Sequence, residues 1–167
     1  ALISDGGVAC WGLDTDGQAT IPSGLVDAVQ VSAGDFHTCA VHGPGEVSCW
    51  GQNDEGQTTV PPDLNEVVEL TAGAFHTCVL DVVGNISCWG RDSSGQATVP
   101  NDIGDVIQIV AGDNRSCAVT SDGAIACWAH SFSALDAVDG VRHAALGYRH
   151  GCVVDGDGLV TCSGWNS

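Results

Sequence analysis

Pairs of cysteines separated by ten positions recur along this chain of 167 residues. The pairs are Cys39/Cys49, Cys78/Cys88, Cys117/Cys127 and Cys152/Cys162. The second cysteines, together with Cys10, recur every 39 residues up to Cys127 and then after 35 residues at Cys162. A period near 40 residues is typical of propellers and solenoids. The cysteine spacing therefore predicts a repeat protein.

Each repeat carries the pattern of several short β-strands. An alternating apolar segment ends in glycine, a second segment carries the first cysteine of the pair, and a third carries Cys-Trp-Gly or a near relative. Alternation with a period of two indicates strands, and no segment shows the period of a helix. A fourth segment, Gly-Gln-x-Thr-x-Pro, begins at Gly17, Gly56 and Gly95, and its proline is typical of a strand end or an edge strand. We therefore predict an all-β fold, a β-propeller of four-stranded antiparallel blades with about 39 residues per repeat.

The repeats fill a single array over residues 1–167. The predicted hairpins lie near residues 1–12, 37–51, 76–90, 115–128 and 150–165. Residues 1–12 align with residues 118–129, which would place a partner for Cys10 one position before Ala1. Only four of the five hairpins follow an alternating strand. We therefore expect an incomplete propeller or a fragment of a larger one, with Cys10 left unpaired by truncation.

The hairpin turn sets the pairing of the cysteines. In the third repeat, Ser121-Asp122-Gly123 predicts a three-residue turn whose glycine takes the left-handed conformation. Counting outward from this turn places Cys117 opposite Cys127, on the same side of the sheet. We predict a disulfide within each of the four pairs and an oxidising compartment; the alternative is buried thiols in a cytosolic propeller.

Charge limits the classes of partner. Twenty-one acidic residues face four arginines and no lysine, which gives a net charge of −17. Nucleic acids and anionic membranes are bound mainly through basic side chains, so we expect no nucleic-acid partner. No apolar run reaches the roughly 18 residues that a membrane span needs, and we do not expect a membrane-spanning chain. The acidity and the cysteines together favour an extracellular or lumenal location.

Two further residue types recur once per repeat. Tryptophans at 11, 50, 89 and 128 predict packing between blades, whereas exposed tryptophans would serve as stacking platforms for a glycan. Histidines at 37, 76 and 150 predict a structural role in which the side chain bonds local backbone. No nucleophile with a paired base and no metal-ligand spacing stands out, so we predict no enzymatic activity, no cofactor and no metal site.

Two sequons supply candidate N-glycosylation sites at Asn85 and Asn114. Asn85 falls in a predicted hairpin turn, where it would be accessible. Asn114 lies close to Cys117.

The motif Ala-Gly-x-x-His-Thr-Cys, followed by Cys-Trp-Gly and Gly-Gln, resembles the repeat of the regulator of chromosome condensation family. It is especially similar to the short, cysteine-bearing repeats of secreted or exported members, which include a propeller that inhibits β-lactamase. The resemblance covers Ala1 to about Trp165 and implies a seven-bladed propeller in the parent protein. Family functions include nucleotide exchange on a small GTPase, chromatin contact, enzyme inhibition and scaffolding, and the fold alone does not choose among them.

Function is expected where the copies of the repeat differ. Loop residues that occupy one place in successive repeats form a candidate partner-binding rim: Asp35, Phe36, Phe75, Asn114, Tyr148 and Arg149. For the two phenylalanines the alternative is packing between blades. We expect a non-enzymatic protein–protein interaction or scaffold module, exported, within a larger extracellular or lumenal assembly. The alternatives are a carbohydrate-binding propeller and a secreted enzyme-inhibitor propeller.

Overall fold

The computed structural model describes residues 1–129, 135 and 137–164. Within these residues, twelve strands form four antiparallel sheets of three strands each, in the order β1-β2-β3, β4-β5-β6, β7-β8-β9 and β10-β11-β12. The strands are β1 Ala28–Ala33, β2 His37–His42, β3 Glu46–Gly51, β4 Val67–Ala72, β5 His76–Asp81, β6 Ile86–Gly90, β7 Val106–Ala111, β8 Ser116–Thr120, β9 Ile125–Trp128, β10 Val141–Leu146, β11 His150–Asp155 and β12 Val160–Gly164. The described residues include no helix of the length and apolarity that crossing a bilayer requires.

The prediction of four strands per blade is wrong, because the Gly-Gln-x-Thr-x-Pro segment forms a turn. In the third repeat, the Asp92 carboxylate accepts hydrogen bonds from the backbone N–H groups of Ala97 (2.8 Å) and Thr98 (3.1 Å) and from the Thr98 hydroxyl (2.6 Å). These hydrogen bonds lower the pKa of Asp92, the Thr98 hydroxyl having the largest effect. A side chain thus satisfies the backbone donors that a ladder would otherwise use. The segment therefore adds no fourth strand to the sheet.

The register of the β8–β9 hairpin agrees with the pairing predicted by counting outward from the turn Ser121-Asp122-Gly123. Cys117 stands opposite Cys127, Ala118 opposite Ala126 and Val119 opposite Ile125, and Gly123 has a positive φ of 85°. The structure contains the disulfides Cys39–Cys49, Cys78–Cys88, Cys117–Cys127 and Cys152–Cys162, with Cα–Cα distances of 4.0 to 4.1 Å. Cys10 is a free, half-buried thiol.

The hydrophobic core lies between successive sheets. One cluster joins Cys39 and Val41 of the first sheet to Leu70, Val79 and Trp89 of the second. Equivalent clusters join the second sheet to the third and the third to the fourth. The four sheets thus form an open array in which each buries its apolar face against its neighbours.

The two ends of the array differ from the middle. Residues 1–12 form a short turn with one isolated bridge between Leu2 and Val8, and the Ala9 N–H donates to the Ala1 carbonyl at 2.8 Å. Most of the altered segment of the last repeat, residues 129–136, lies outside the described residues, as does Trp165.

Candidate protein-binding rim

In every sheet one loop connects the first strand to the second. These loops, residues 34–36, 73–75, 112–115 and 147–149, are called the loop rim here because they meet around one cavity of about 210 Å³. Glycine at 34 and 73 allows successive loops to approach closely. A Cβ on Gly34 would lie 2.2 Å from the Gly73 carbonyl oxygen, and one on Gly73 would lie 2.5 Å from the Gly112 carbonyl oxygen. Larger residues at these positions would push the loops apart.

Buried histidines pack against the backbone of the loop rim. A Cβ on Gly34 would lie 2.5 Å from Cε1 of His37, so the imidazole fits directly against the loop. His37 Nε2 lies 2.9 Å from the Thr77 hydroxyl and His76 Nε2 lies 2.9 Å from the Ser116 hydroxyl. Burial lowers the pKa of each histidine to about 4, so both are neutral at physiological pH.

The histidines have a structural role, but the partner expected from the sequence is wrong. Each imidazole bonds a hydroxyl forty residues further along, in the next sheet, whereas the sequence predicts a bond to local backbone. His150, at the same position in the last sheet, is exposed.

The two phenylalanines of the loop rim stack on each other. Phe36 and Phe75 are half-buried, with ring centroids 5.9 Å apart and an angle of 26° between the planes. They therefore pack between neighbouring repeats and also remain open to solvent at the surface.

Arginine side chains accompany the aromatic rings. The Arg91 guanidinium lies 5.6 Å from the Phe75 centroid, and the Arg149 guanidinium lies 5.2 Å from the Tyr148 centroid. Tyr148 is 58% exposed, and Arg149 is also exposed. With Arg115 in the third loop, three of the four arginines of the chain lie at the loop rim or beside it.

Carboxylates share this surface with the arginines. Desolvation raises the pKa of Asp35, and the nearby Asp113 carboxylate raises it further. The loop rim therefore combines two acidic groups, aromatic faces and guanidinium groups within one small area.

The two sequons have different surroundings. Asn85 is exposed in the β5–β6 turn, where its Nδ2 donates to Asp81 at 3.1 Å. Asn114 is half-buried and its Oδ1 accepts a hydrogen bond from Gln96 at 3.2 Å, while Ser116 of the same sequon is buried. The Asn85 side chain is thus the more accessible of the two.

Three of the repeated tryptophans are buried. Trp50, Trp89 and Trp128 are 6 to 8% exposed, whereas Trp11 is 77% exposed. The indole N–H of Trp89 donates to the Gln57 carbonyl at 3.0 Å. The indoles of Trp50, Trp89 and Trp128 are therefore core groups and offer no stacking platform for a sugar, whereas Trp11 is open to solvent.

The buried glutamines of the Gly-Gln segment are structural residues that sequence reasoning missed. The Gln57 carbonyl accepts from both Trp89 and the Thr77 hydroxyl, and Gln18 and Gln96 make the same two contacts in their repeats. The signal was the recurrence of glutamine after glycine in three repeats. Within residues 1–129, 135 and 137–164, no group of three or more His, Cys, Asp or Glu side chains is placed to hold a metal ion.

Comparison with known proteins identifies the type of repeat. Residues 28–57, 67–96 and 106–128 match the sequence model described as "Regulator of chromosome condensation (RCC1) repeat". No curated protein matches the chain by sequence.

Solved structures share the fold at low sequence identity. The ectodomain of the receptor kinase CR4 from Physcomitrella patens matches with a TM-score of 0.80 and 24% identity, covering 99% of this chain and 48% of that one. Human WBSCR16 matches with a TM-score of 0.76 and 20% identity, covering 92% and 56%. Prp20p from Saccharomyces cerevisiae matches with a TM-score of 0.69 and 16% identity, covering 82% and 45%. The chain thus spans about half the length of these similar structures.

Proposed function

Because this chain belongs to the regulator of chromosome condensation repeat family, we propose that it is a non-enzymatic protein-interaction module whose partner binds the loop rim. The observation that carries the proposal is the convergence of four loops, different in sequence, on one surface that holds stacked Phe36 and Phe75 and the exposed pair Tyr148 and Arg149. Aromatic and arginine side chains are the commonest energetic anchors of protein interfaces.

Solved structures with this fold support a protein as the class of partner. Prp20p binds Gsp1p and histones, and yeast RCC1 (Prp20) has also been crystallised bound to Kap60. These are properties of that protein, and at 16 to 18% identity they support only the general use of the fold for binding proteins.

The proposed setting is extracellular or the lumen of an oxidising compartment, where the module is exported and forms part of a larger assembly. Four disulfides in so short a chain support this setting, because disulfides are rare where thiols are kept reduced. The similar CR4 structure is itself an ectodomain.

Site-specific photocrosslinking tests the proposed surface. A photoreactive phenylalanine replaces Tyr148, and a matched variant carries it at Val83, an exposed residue of the β5–β6 turn. After incubation with the extracellular or lumenal fraction of the source, mass spectrometry identifies the adducts. We expect a protein that crosslinks from position 148 and does not crosslink from position 83.

Affinity measurements with the identified partner complete the test. Phe75→Ala and Arg149→Ala should each weaken binding by roughly tenfold or more, since hot-spot truncations cost at least that much, whereas Val83→Ala should leave it unchanged. Equal crosslinking from both positions, or unchanged affinity of both rim variants, would contradict the proposal.

A further inference from the structure

Two equivalent grooves open between successive sheets, at the strand ends that lie away from the loop rim. β1 runs towards the loop rim and pairs antiparallel with β2, so the β2–β3 turn lies at the far end of the first sheet. The β5–β6 turn occupies the same place in the second sheet. Each groove lies between one of these turns and the segment that leads into the first strand of the next sheet. They are called the first and second turn grooves below.

The two turn grooves share an apolar lining. The first has a volume of about 280 Å³ and the second has a volume of about 400 Å³. Each is lined by an aliphatic residue that follows the turn, by a Val-Pro pair, and by an aliphatic residue three positions after the proline. These residues are Val47, Val60, Pro61 and Leu64 in the first groove and Ile86, Val99, Pro100 and Ile103 in the second. The recurrence shows that the groove is built into the repeat.

The aliphatic side chains of the turn grooves are only half-buried. Val47, Val60 and Leu64 pack against the core between the first and second sheets and also remain open to solvent. The three equivalent residues of the second groove pack in the same way against the core between the second and third sheets. Proline fixes the backbone angle φ, so the Val-Pro wall of each groove is already in place before anything binds.

Apolar surface continues beyond each groove. Val68 and Ile107, each the second residue of the strand that follows a groove, are more than half exposed. Both lie where the pairing register shifts, and a residue at such a β-bulge has no partner on the neighbouring strand. Val82 and Val83 of the β5–β6 turn are also more than half exposed. This end of the sheets therefore exposes more aliphatic surface than the grooves alone provide.

The segments that form the turn grooves carry acidic residues and neither lysine nor arginine. These segments are residues 43–47, 60–68, 82–86 and 99–107. Their carboxylates, all of them exposed, are those of Glu46, Asp63, Glu66, Asp102 and Asp105. The imidazole of His42 lies 3.8 Å from the Glu46 carboxylate. Three of the four arginines, by contrast, lie at the loop rim or beside it, so the two ends of the sheets differ in charge.

Size and charge together select the occupant of the turn grooves. Pockets for small molecules measure about 300 to 1,000 Å³, so grooves of about 280 and 400 Å³ are better suited to one large side chain each. Carboxylates around an apolar site attract lysine and arginine and repel acidic groups. A second copy of this chain, with its net charge of −17, and an anionic membrane are therefore both disfavoured.

We propose that the turn grooves bind a segment of a partner protein in which apolar side chains are flanked by lysine or arginine. One apolar side chain enters each groove, and the flanking cations face the carboxylates at its edge, Glu46 and Glu66 in the first groove and Asp102 in the second. Engaging both grooves at once raises the overall affinity.

This proposal is independent of the function proposed for the loop rim, which lies at the opposite ends of the strands. Because Val83 adjoins the second groove, a partner of the turn grooves should crosslink from position 83 and not from position 148. That pattern is the reverse of the one expected for a partner of the loop rim.

A pair of synthetic peptides tests the apolar part of the contact. The probe carries two leucines, each flanked by lysines, and the control peptide carries serine at both leucine positions, so that the two have the same charge. Because a glycan on Asn85 would cover the second groove, the protein is prepared without N-glycans. The probe should bind at least tenfold more tightly than the control peptide, since only leucine gains from burial in the grooves.

NMR spectra of the methyl groups of the intact chain report where the probe binds. Saturable shifts are expected for the groove residues Val60, Leu64, Val99 and Ile103. The methyl groups of Leu146, which lines the cavity of the loop rim, should not shift.

Matched variants of the protein test the carboxylates. Glu66→Gln combined with Asp102→Asn removes one charge from each groove, whereas Asp16→Asn combined with Asp54→Asn removes two exposed charges outside the grooves. Each pair changes the net charge from −17 to −15. The first pair should weaken binding of the probe roughly threefold to tenfold, and the second pair should leave it nearly unchanged. Thermal unfolding verifies that both variants are folded.

Several outcomes would overturn the proposal. Equal affinities of the leucine and serine peptides, or of the two charge variants for the probe, would reduce the contact to general attraction between opposite charges. The absence of saturable shifts at the groove methyl groups with millimolar probe would show that the grooves do not bind such a segment. Shifts of these methyl groups that grow with protein concentration when no peptide is present would assign the grooves to contact between copies of this chain.

Discussion

His76 of β5 lies 2.9 Å from the hydroxyl of Ser116 in β8, and this hydroxyl in turn donates to the Gln96 carbonyl at 3.0 Å. Because the hydroxyl proton is directed at Gln96, the serine oxygen accepts from the imidazole and Nε2 carries the hydrogen. The same chain runs from His37 through Thr77 to the Gln57 carbonyl. Each relay links two sheets and the turn segment that precedes the second one, and burial in this contact favours the neutral imidazole.

Acidification should destabilise the fold through these histidines. Their pKa of about 4 in the folded state is below the ordinary value of 6.5, so the unfolded chain binds protons more readily. Stability is therefore unaffected above about pH 6.5 and falls as the pH drops from 6.5 towards 4, by up to about 1.4 kcal/mol per pH unit for each histidine. Urea unfolding at pH 7 and pH 5 measures the loss. His76→Asn should show a smaller pH dependence than the wild type, and identical slopes would contradict the assignment.

Removing the hydroxyl at Ser116 should leave the buried His76 N–H without an acceptor. Ser116→Ala should cost roughly 1 to 3 kcal/mol, the usual penalty for an unsatisfied buried group. Ser116→Thr is the matched control, since Thr77 already occupies the equivalent position in the preceding repeat. Chemical denaturation of the two variants should separate them clearly. A stability of Ser116→Ala equal to that of Ser116→Thr would show that the hydrogen bond contributes little.

The turn that replaces the predicted fourth strand should depend on the oxygen atoms at position 92. Asp92→Ala removes the acceptor for Ala97 and Thr98 and should cost roughly 0.5 to 1.5 kcal/mol, a modest value because the carboxylate is exposed to screening solvent. Asp92→Asn should cost less, because Asn53 accepts from the Thr58 N–H and donates to the Thr59 hydroxyl in the second repeat. Thermal unfolding should rank Asp92→Asn as more stable than Asp92→Ala. A lower unfolding temperature for Asp92→Asn than for Asp92→Ala would contradict the role of this side chain.

The sequence predicts local geometry better than contacts between repeats. The pairing of Cys117 with Cys127 follows from a three-residue turn ending in Gly123, because the turn alone determines the register. The prediction of a fourth strand was wrong. The alternating residues and terminal proline of the Gly-Gln-x-Thr-x-Pro segment do not reveal that the Asp92 carboxylate accepts hydrogen bonds from its backbone N–H groups.

Contacts between residues about forty positions apart in the sequence depend on how one sheet packs against the next. The stacking of Phe36 on Phe75 and the bond from His37 to Thr77 are of this kind. The sequence identified the loop residues because they differ between otherwise similar repeats. It did not indicate that the four loops meet around a single cavity, which Asp35 and Tyr148 line.

The approach of successive loops should make Gly73 intolerant of any side chain. A Cβ there would lie 2.2 Å from Cε1 of His76 and 2.5 Å from the Gly112 carbonyl oxygen, and neither the buried ring nor the backbone can move aside cheaply. Gly73→Ala should therefore destabilise the fold by roughly 1 to 3 kcal/mol or more through overpacking.

Gly156→Ala is the control for this substitution, since an added Cβ there would lie 3.1 Å from Nε of the exposed Arg142 side chain, which can swing away. Denaturation curves should place Gly156→Ala close to the wild type and Gly73→Ala well below it. Where Gly73→Ala still folds, displacement of Phe75 should also weaken partner binding at the loop rim. If both alanine variants are as stable as the wild type, the loops are not in the close contact that brings the four copies together on one surface.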